Sequence, residues 1–116
     1  MDKLELIKRT RNFAIRVFKL VERFPKTKGA SVISYQLLKA ASSTAANYRS
    51  ACRAKSKADF QNKLKIVEEE ADESNFWLSF SKELGILKND PELDALIKES
   101  DELVAIFTQS LITLKS

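Results

Sequence analysis

Apolar residues recur every three or four positions through four segments of the chain, and polar residues fill the positions between them. This spacing lines the apolar side chains along one face of an α-helix. Polar breaks separate the segments at residues 25–29, 53–56 and 85–91, and the first and last breaks hold both glycines and both prolines. The pattern therefore predicts helices over about 2–24, 30–53, 57–84 and 91–114.

The third segment carries the clearest repeat, because its apolar and small positions alternate steps of four and three. Such a heptad belongs to a helix that packs lengthwise at a shallow angle. Ser56 is a predicted N-cap and Gly85 a predicted C-terminal stop, while Asp90 followed by Pro91 predicts the start of the fourth helix. The heptad positions are Phe60, Leu64, Val67, Ala71, Ser74, Leu78 and Ser81.

The first two segments offer more apolar surface than one core-facing stripe needs. The first has two stripes, and the second contains a run of small residues over 40–46 that lets a neighbouring backbone approach closely. Two interpretations stay open for this second helix. It is either central within one bundle or also lines an interface between subunits.

Four helices of similar length joined by short turns favour an all-α fold, an antiparallel up-down-up-down four-helix bundle with left-handed packing. The 116 residues suit a single domain spanning 1–116. Area scaling lets a chain of this size bury about two-thirds of its surface, so no metal or disulfide is needed for a core. With two glycines and two prolines, the composition argues against a β-sandwich, which needs frequent turns.

The absence of histidine excludes most catalytic and metal-binding arrangements. Ser-His-Asp and Cys-His pairs, most zinc sites and most di-iron sites all need it. Two glycines also cannot build a phosphate-binding loop. We therefore expect a non-enzymatic protein with no cofactor and no small-molecule substrate. An enzyme would have to use carboxylates, Lys, Tyr or Ser alone.

The cysteine content and the hydropathy pattern predict a cytoplasmic protein. Cys52 is the single cysteine, so no disulfide can form within the chain. Residues 2–24 carry charges every few positions, unlike a signal peptide. No uncharged apolar stretch reaches the 18 residues expected of a membrane span, so we expect no membrane association.

Charge is segregated along the chain. Residues 1–57 hold 14 Lys or Arg against 3 Asp or Glu, whereas residues 58–116 hold 6 against 13. In the predicted bundle one side would be basic and the opposite side acidic. These sides could simply attract each other within the bundle, could join copies head to tail into a ring or filament, or could bind nucleic acid through phosphate contacts.

The densest basic cluster lies at the predicted turn between the second and third helices. We predict nucleic-acid contact through Arg49, Arg53, Lys55 and Lys57. Tyr48 stands beside them, and basic residues next to an aromatic ring suit single-stranded RNA. A solvated helix end is the alternative.

Five carboxylates follow within residues 68–73. Those beside the apolar heptad positions would need cationic partners if partly buried. Arg11 interrupts an apolar stripe of the first helix at a matching height, so we predict a buried ion pair between Arg11 and Glu69 or Glu70. A Mg²⁺ or Ca²⁺ site is a weaker alternative.

The stretch from Ala45 to Leu78 resembles the signature of the bacterial four-helix bundle family, also called the 23S rRNA intervening-sequence protein family. The resemblance rests on the small-residue run ending in Asn47, the basic turn, Ser56 with Phe60, and the acidic run over 69–73. The start of the chain, up to Pro25, is similar to one branch of that family. The chain departs from the commoner pattern at Ala45, where many members have Pro, and over 48–51.

The resemblance implies an up-down four-helix subunit and a homo-oligomeric ring, expected to be a pentamer. Related accessory proteins of retroelements bind nucleic acid through basic surfaces, so the resemblance also implies RNA or DNA as a partner. We therefore expect a ring-forming protein that binds nucleic acid. The alternative is a structural or protein-interaction module with no nucleic-acid role.

Overall fold

Four α-helices make up the computed structural model, which describes residues 1–115. They are α1 (Lys3–Val21), α2 (Lys28–Ala51), α3 (Lys57–Glu83) and α4 (Pro91–Lys115). They form an elongated bundle of 44 × 20 × 19 Å, whose long dimension is set by α3. No strand occurs in this part of the chain, and the predicted all-α four-helix bundle is confirmed.

Each helix packs against two neighbours. α1 lies beside α2 and α4, and α3 lies beside α2 and α4, so α1 and α3 occupy opposite corners of the bundle. Arg9 pairs with Glu99, whereas Arg16, further along α1, pairs with the earlier residue Glu92 of α4. Between α3 and α4 the order is also reversed, because Glu68 meets Thr108 whereas the later Lys82 meets the earlier Asp94. α4 is therefore antiparallel to both of its neighbours. The left-handed sense of the packing stays a prediction.

The start of α3 follows from two local hydrogen bonds. The Ser56 Oγ accepts from the Asp59 N–H at 3.1 Å. The Asp59 carboxylate reaches back and accepts from the Lys55 N–H at 3.2 Å. The first bond satisfies an amide that the first helical turn leaves unpaired, and the second ties the residue before the cap to that turn, so the predicted N-cap is present.

The end of α3 depends on the backbone of Gly85, whose φ is +69°. Its N–H donates to the Lys82 carbonyl at 3.0 Å, and the Ile86 N–H donates to the Ser81 carbonyl at 3.1 Å. This pair of bonds is the Schellman motif, and glycine adopts the required left-handed conformation without a Cβ penalty. α4 then begins at the predicted cap, where the Asp90 carboxylate accepts from the Leu93 N–H at 2.9 Å.

The turn between α1 and α2 differs from the prediction. α1 ends at Val21, three residues before its predicted end, because Phe24 precedes Pro25 and is disfavoured from helical geometry. α2 begins at Lys28, two residues before its predicted start, because the Thr27 side chain accepts from the Ala30 N–H at 3.2 Å and caps the helix. Gly29 therefore lies inside α2 rather than in the break.

The core follows the heptad of α3. All the heptad positions of α3 are buried except Phe60, which is half-buried. Three small side chains near the middle of α2 and α3, Ala40, Ala41 and Ala71, are fully buried. The buried serines and threonines donate their hydroxyls to backbone carbonyls three or four residues earlier, so their burial leaves no unpaired group.

Candidate nucleic-acid and assembly surfaces

Three arginines spaced seven residues apart, two on α1 and one just after its end, face carboxylates on α4 and at its N-cap. Each guanidinium forms an ion pair with an acidic side chain, and these ion pairs join α1 to α4 along one side of the bundle. The Arg16 guanidinium holds the pKa of the Glu92 carboxyl below its usual range. The pairs are Arg9 with Glu99 and Glu102, Arg16 with Glu92, and Arg23 with Asp90. These three arginines are therefore neutralised within the chain itself.

The predicted buried pair between Arg11 and Glu69 or Glu70 is wrong. Arg11 is exposed, Glu69 is exposed and Glu70 is half-buried, and no ion pair joins Arg11 to either carboxylate within residues 1–115. The reason is topological, because α1 and α3 stand at opposite corners. Matching heights along two helices brings side chains together only where the helices are neighbours.

One end of the bundle is strongly basic. The start of α1, the end of α2, the start of α3 and the end of α4 meet there. Residues 1–8, 49–65 and 109–115, which we call the basic end, hold nine Lys or Arg and three Asp or Glu. The Lys3 Nζ lies 5.0 Å from the centre of the Phe60 ring, which ties the start of α1 to the start of α3. A positive potential at one end attracts polyanions.

The predicted nucleic-acid residues all lie at this end, and all four are exposed. Arg53, Lys55 and Lys57 surround the turn between α2 and α3. Arg49 lies one helical turn earlier and lines a groove on the side of the bundle. None of these four side chains takes part in an ion pair with the residues the structure describes.

Tyr48 does not belong to this surface, contrary to the sequence interpretation. Only 3% of it is exposed, and its ring packs 5.5 Å from the Phe107 ring, centre to centre. Burial raises the pKa of the Tyr48 hydroxyl, with a further contribution from its hydrogen bond to Cys52. Tyr48 follows the buried Thr44 by four residues on α2, and this helical spacing is the signal that marks Tyr48 as a core residue.

An apolar groove of about 570 Å³ runs between α1 and α2. Ile15 and Phe18 line it from α1 and are 44% and 46% exposed, although bulky apolar side chains usually lie in the core. Ala45 and Ala46 form its floor from α2. Arg11, Lys19 and Arg49 surround these apolar residues, so the groove is apolar in the middle and basic at its margins. We call this surface the groove.

A second apolar surface stands on the outside of α3. Phe76 is 53% and Phe80 37% exposed, and their rings stack 5.6 Å apart. Trp77 meets both rings edge to face, and its indole Nε1, although buried, has no hydrogen-bond acceptor in residues 1–115. Exposed carboxylates flank the rings. We call this surface the ridge, and its members, in steps of four and three residues, are Glu69, Glu73, Phe76, Phe80 and Glu83.

The sequence pattern pointed to parts of these two surfaces. Phe18 lies on one of the two apolar stripes of the first segment. Phe80 lies on a flanking apolar stripe of the third segment, whose members are Ile66, Trp77, Phe80 and Leu84. Phe76 carried no such signal, because the positions three and four residues before it are the charged Glu73 and Asp72. Only its contact with Trp77 and Phe80 marks it as part of a cluster.

Residues 1–115 contain neither a cluster of metal-ligating side chains nor a helix suited to a membrane. No group of three or more Cys, Asp or Glu side chains converges in a way that could hold a metal ion. None of the described helices is both long enough and apolar enough to cross a bilayer.

Comparison with known proteins identifies relatives over the whole bundle. The model of the family described as 23S rRNA-intervening sequence protein matches residues 2–109. A crystal structure of a protein of unknown function from the S23 ribosomal protein family of Bacteroides thetaiotaomicron superposes with a TM-score of 0.84. That protein is 27% identical, and the match covers 100% of both chains. No curated protein shows significant similarity to the chain.

Proposed function

Since the chain belongs to the 23S rRNA-intervening sequence protein family, we propose that it is a non-enzymatic protein that binds RNA or DNA and assembles into a ring. The basic end is the binding surface, and the phosphate backbone is what it recognises. The ring is a pentamer, as the resemblance to the family implies.

The observation that carries this proposal is the concentration of unpaired cations at the basic end. The arginines of α1 that face α4 are neutralised by carboxylates. In contrast, Arg53, Lys55 and Lys57 are exposed and free of ion pairs within the described chain. Mobile surface cations of this kind bind phosphates and release counterions, which gives affinity without sequence preference. Because Tyr48 is buried, its ring is not available to stack on a base at this surface.

A titration with a fluorescent single-stranded RNA at several salt concentrations tests the nucleic-acid proposal. Log affinity should fall linearly with log salt, by about 0.7 for each phosphate contacted. Replacing Arg53, Lys55 and Lys57 together by Gln should reduce that slope by about 2. Binding that is absent at low salt, or that does not depend on salt, would contradict the proposal.

The matched control removes three exposed lysines elsewhere. Lys26 and Lys28 lie at the opposite end of the bundle and Lys98 lies on α4. Replacing these three by Gln changes the net charge by the same amount, so an equal loss of affinity would mean that total charge, rather than the basic end, binds RNA.

Light scattering after gel filtration tests the ring separately. The expected mass is that of five subunits, and a monomer at micromolar concentration would contradict the ring. The groove favours a second candidate function, that of a protein-interaction module without nucleic acid, because large exposed apolar patches mark interaction sites. Assembly without RNA binding at low salt would support this second function.

A further inference from the structure

The groove presents its cations and apolar side chains in a defined order along α1. Arg11 comes first, Ile15 and Phe18 follow, and Lys19 closes the series. Arg49 of α2 lines the same part of the molecule as a further cation. The end of the groove nearer the basic end therefore carries two cations, and the far end carries one.

The ridge presents the same order with the opposite charge. Glu69 and Glu73 come first along α3, then the stacked rings of Phe76 and Phe80, and then Glu83. All five side chains are exposed. The ridge thus carries two carboxylates on one side of its aromatic centre and one on the other, and the exposed Asp72, which lines the same surface, adds a third carboxylate to the first side.

The spacings of the two surfaces agree. Arg11 and Lys19 are eight residues apart, which is about 12 Å along a helix. Glu73 and Glu83 are ten residues apart, or about 15 Å, and these long side chains can close the difference. Between the charges, Ile15 to Phe18 spans three residues and Phe76 to Phe80 spans four.

We propose that the ridge of one copy of this chain docks in the groove of a second copy, with the two bundles parallel. The inference rests on the proposed assembly and names the surfaces that form it. Apolar side chains in the centre would be removed from water on both sides, and charges of opposite sign at the margins would set the register. The groove and the ridge are different surfaces, so the contact is heterologous and can repeat from copy to copy.

The distribution of charges along the groove and the ridge favours parallel over antiparallel docking. When the docked α3 runs parallel to α1, the side with three carboxylates faces Arg11 and Arg49, and Glu83 faces Lys19. When it runs antiparallel, one carboxylate faces two cations and three face one. Since α1 and α3 point the same way within a subunit, parallel docking places every basic end on one face of the assembly.

That face would bind polyanions with many subunits at once. Each subunit contributes nine Lys or Arg and three Asp or Glu at its basic end. A long RNA could contact several basic ends together, whereas a short oligonucleotide reaches only one. Linked binding of this type commonly raises affinity by about 100-fold or more.

Matched aspartate substitutions test the docking. Phe76→Asp on the ridge and Ile15→Asp in the groove should each weaken self-association by about 30-fold or more in sedimentation velocity, because each places a charge in the apolar centre. Tyr35→Asp is the control, since Tyr35 is 64% exposed on α2 and lies outside both surfaces. Assembly of Phe76→Asp or Ile15→Asp at wild-type affinity would overturn the docking.

A charge-exchange experiment distinguishes loss of docking from loss of folding in a single variant. Arg11→Glu and Glu73→Lys should each self-associate more weakly than the parent, and mixing the two should restore association between unlike chains. A mixture that associates no better than either variant alone would overturn the docking. Trp77, the single tryptophan, touches both ridge rings, so its emission should change on dilution of the parent and stay constant for Phe76→Asp.

Spin labels test the parallel direction without nucleic acid. A Lys55→Cys variant in a Cys52→Ser background carries one label at the basic end. Parallel docking predicts a shortest distance between labels near the bundle width of 20 Å, whereas antiparallel docking predicts a distance near or beyond the bundle length of 44 Å. The longer distance alone would overturn the parallel arrangement.

The outcomes separate this inference from the proposed function. A monomeric parent chain would overturn both the ring and the docking. An oligomer that Phe76→Asp and Ile15→Asp leave intact would overturn the docking and leave the ring. The salt dependence of RNA binding tests the basic end in either case.

Discussion

Arg9 of α1 binds Glu99 of α4 through two parallel hydrogen bonds, from Nε to Oε2 at 2.7 Å and from Nη2 to Oε1 at 2.8 Å. The same guanidinium reaches Glu102 at 2.9 Å. Only 22% of the Arg9 side chain and 17% of the Glu99 side chain are exposed. A bidentate pair of this kind, partly shielded from water, fixes the position of α1 against α4.

The first prediction compares Arg9 with Arg11, two residues away on the same helix. Arg9→Ala should lower the free energy of unfolding by about 1–2 kcal/mol, because it leaves the part-buried Glu99 without its partner. Arg11→Ala should change stability by less than about 0.5 kcal/mol, since Arg11 is exposed and unpaired in the described chain. Urea denaturation measures both. Equal losses would contradict the assigned partners.

The second prediction concerns acid pH. The Arg23 guanidinium lowers the pKa of Asp90, and Arg16 lowers that of Glu92. Both carboxyls have a lower pKa folded than unfolded, so the unfolded chain binds more protons in acid. Their contribution is present above the unfolded pKa values and is lost as pH falls through the folded ones. Stability of the parent should therefore fall below about pH 4.5.

The control for this effect is Glu92→Gln, measured across the same pH range. This variant should be less stable than the parent at neutral pH, and the difference should shrink as the pH falls. A difference that stays constant between neutral pH and the acid range would contradict the ion pair as the cause.

The third prediction uses the two glycines of the chain. Gly85→Ala should destabilise by about 1 kcal/mol, because Gly85 has a φ of +69°, which alanine adopts only at a cost. A clash does not contribute, since an added Cβ would meet no atom within 4 Å. The cost is therefore conformational. Gly29→Ala should stabilise by about 0.5 kcal/mol, since Gly29 lies in the first turn of α2 and an added Cβ is equally free there. Thermal unfolding should shift in opposite directions for the two variants.

The fourth prediction tests the small residues at mid-height. Ala71→Leu should destabilise by about 1–3 kcal/mol, because Ala71 is fully buried in the α3 heptad and extra methylene groups strain a well-packed core. Ala105→Leu makes the same change at an exposed position of α4 and should be nearly neutral. Guanidinium denaturation compares them. A neutral Ala71→Leu would mean that this part of the core contains unfilled space.

Local signals account for what was predicted well. Ser56, Gly85 and Asp90 act through hydrogen bonds within a few residues, so their roles can be deduced from neighbours in sequence. The heptad of α3 likewise identifies a buried face, because helix periodicity is a local property. The boundary between α1 and α2 was misplaced because Gly29 was treated as a break, whereas the cap made by Thr27 starts the helix before it.

Pairings between helices were predicted poorly. The sequence shows that Arg11 and the acidic run over 68–73 reach similar heights, but height does not specify which helices are neighbours. The structure places α4, not α3, beside the charged side of α1. The arginines spaced seven residues apart on α1 and just after it therefore meet Asp90, Glu92 and Glu99 instead.

By itself, the amino-acid sequence determined the number of helices, their caps and the faces that become buried. These depend on interactions within a few residues and on a periodicity that any helix shares. Only the tertiary structure decided which arginines are neutralised, that Tyr48 is buried, and that nine Lys or Arg share one end of the bundle. Those outcomes depend on which helices are neighbours and which ends meet, so residues far apart in the chain set them together.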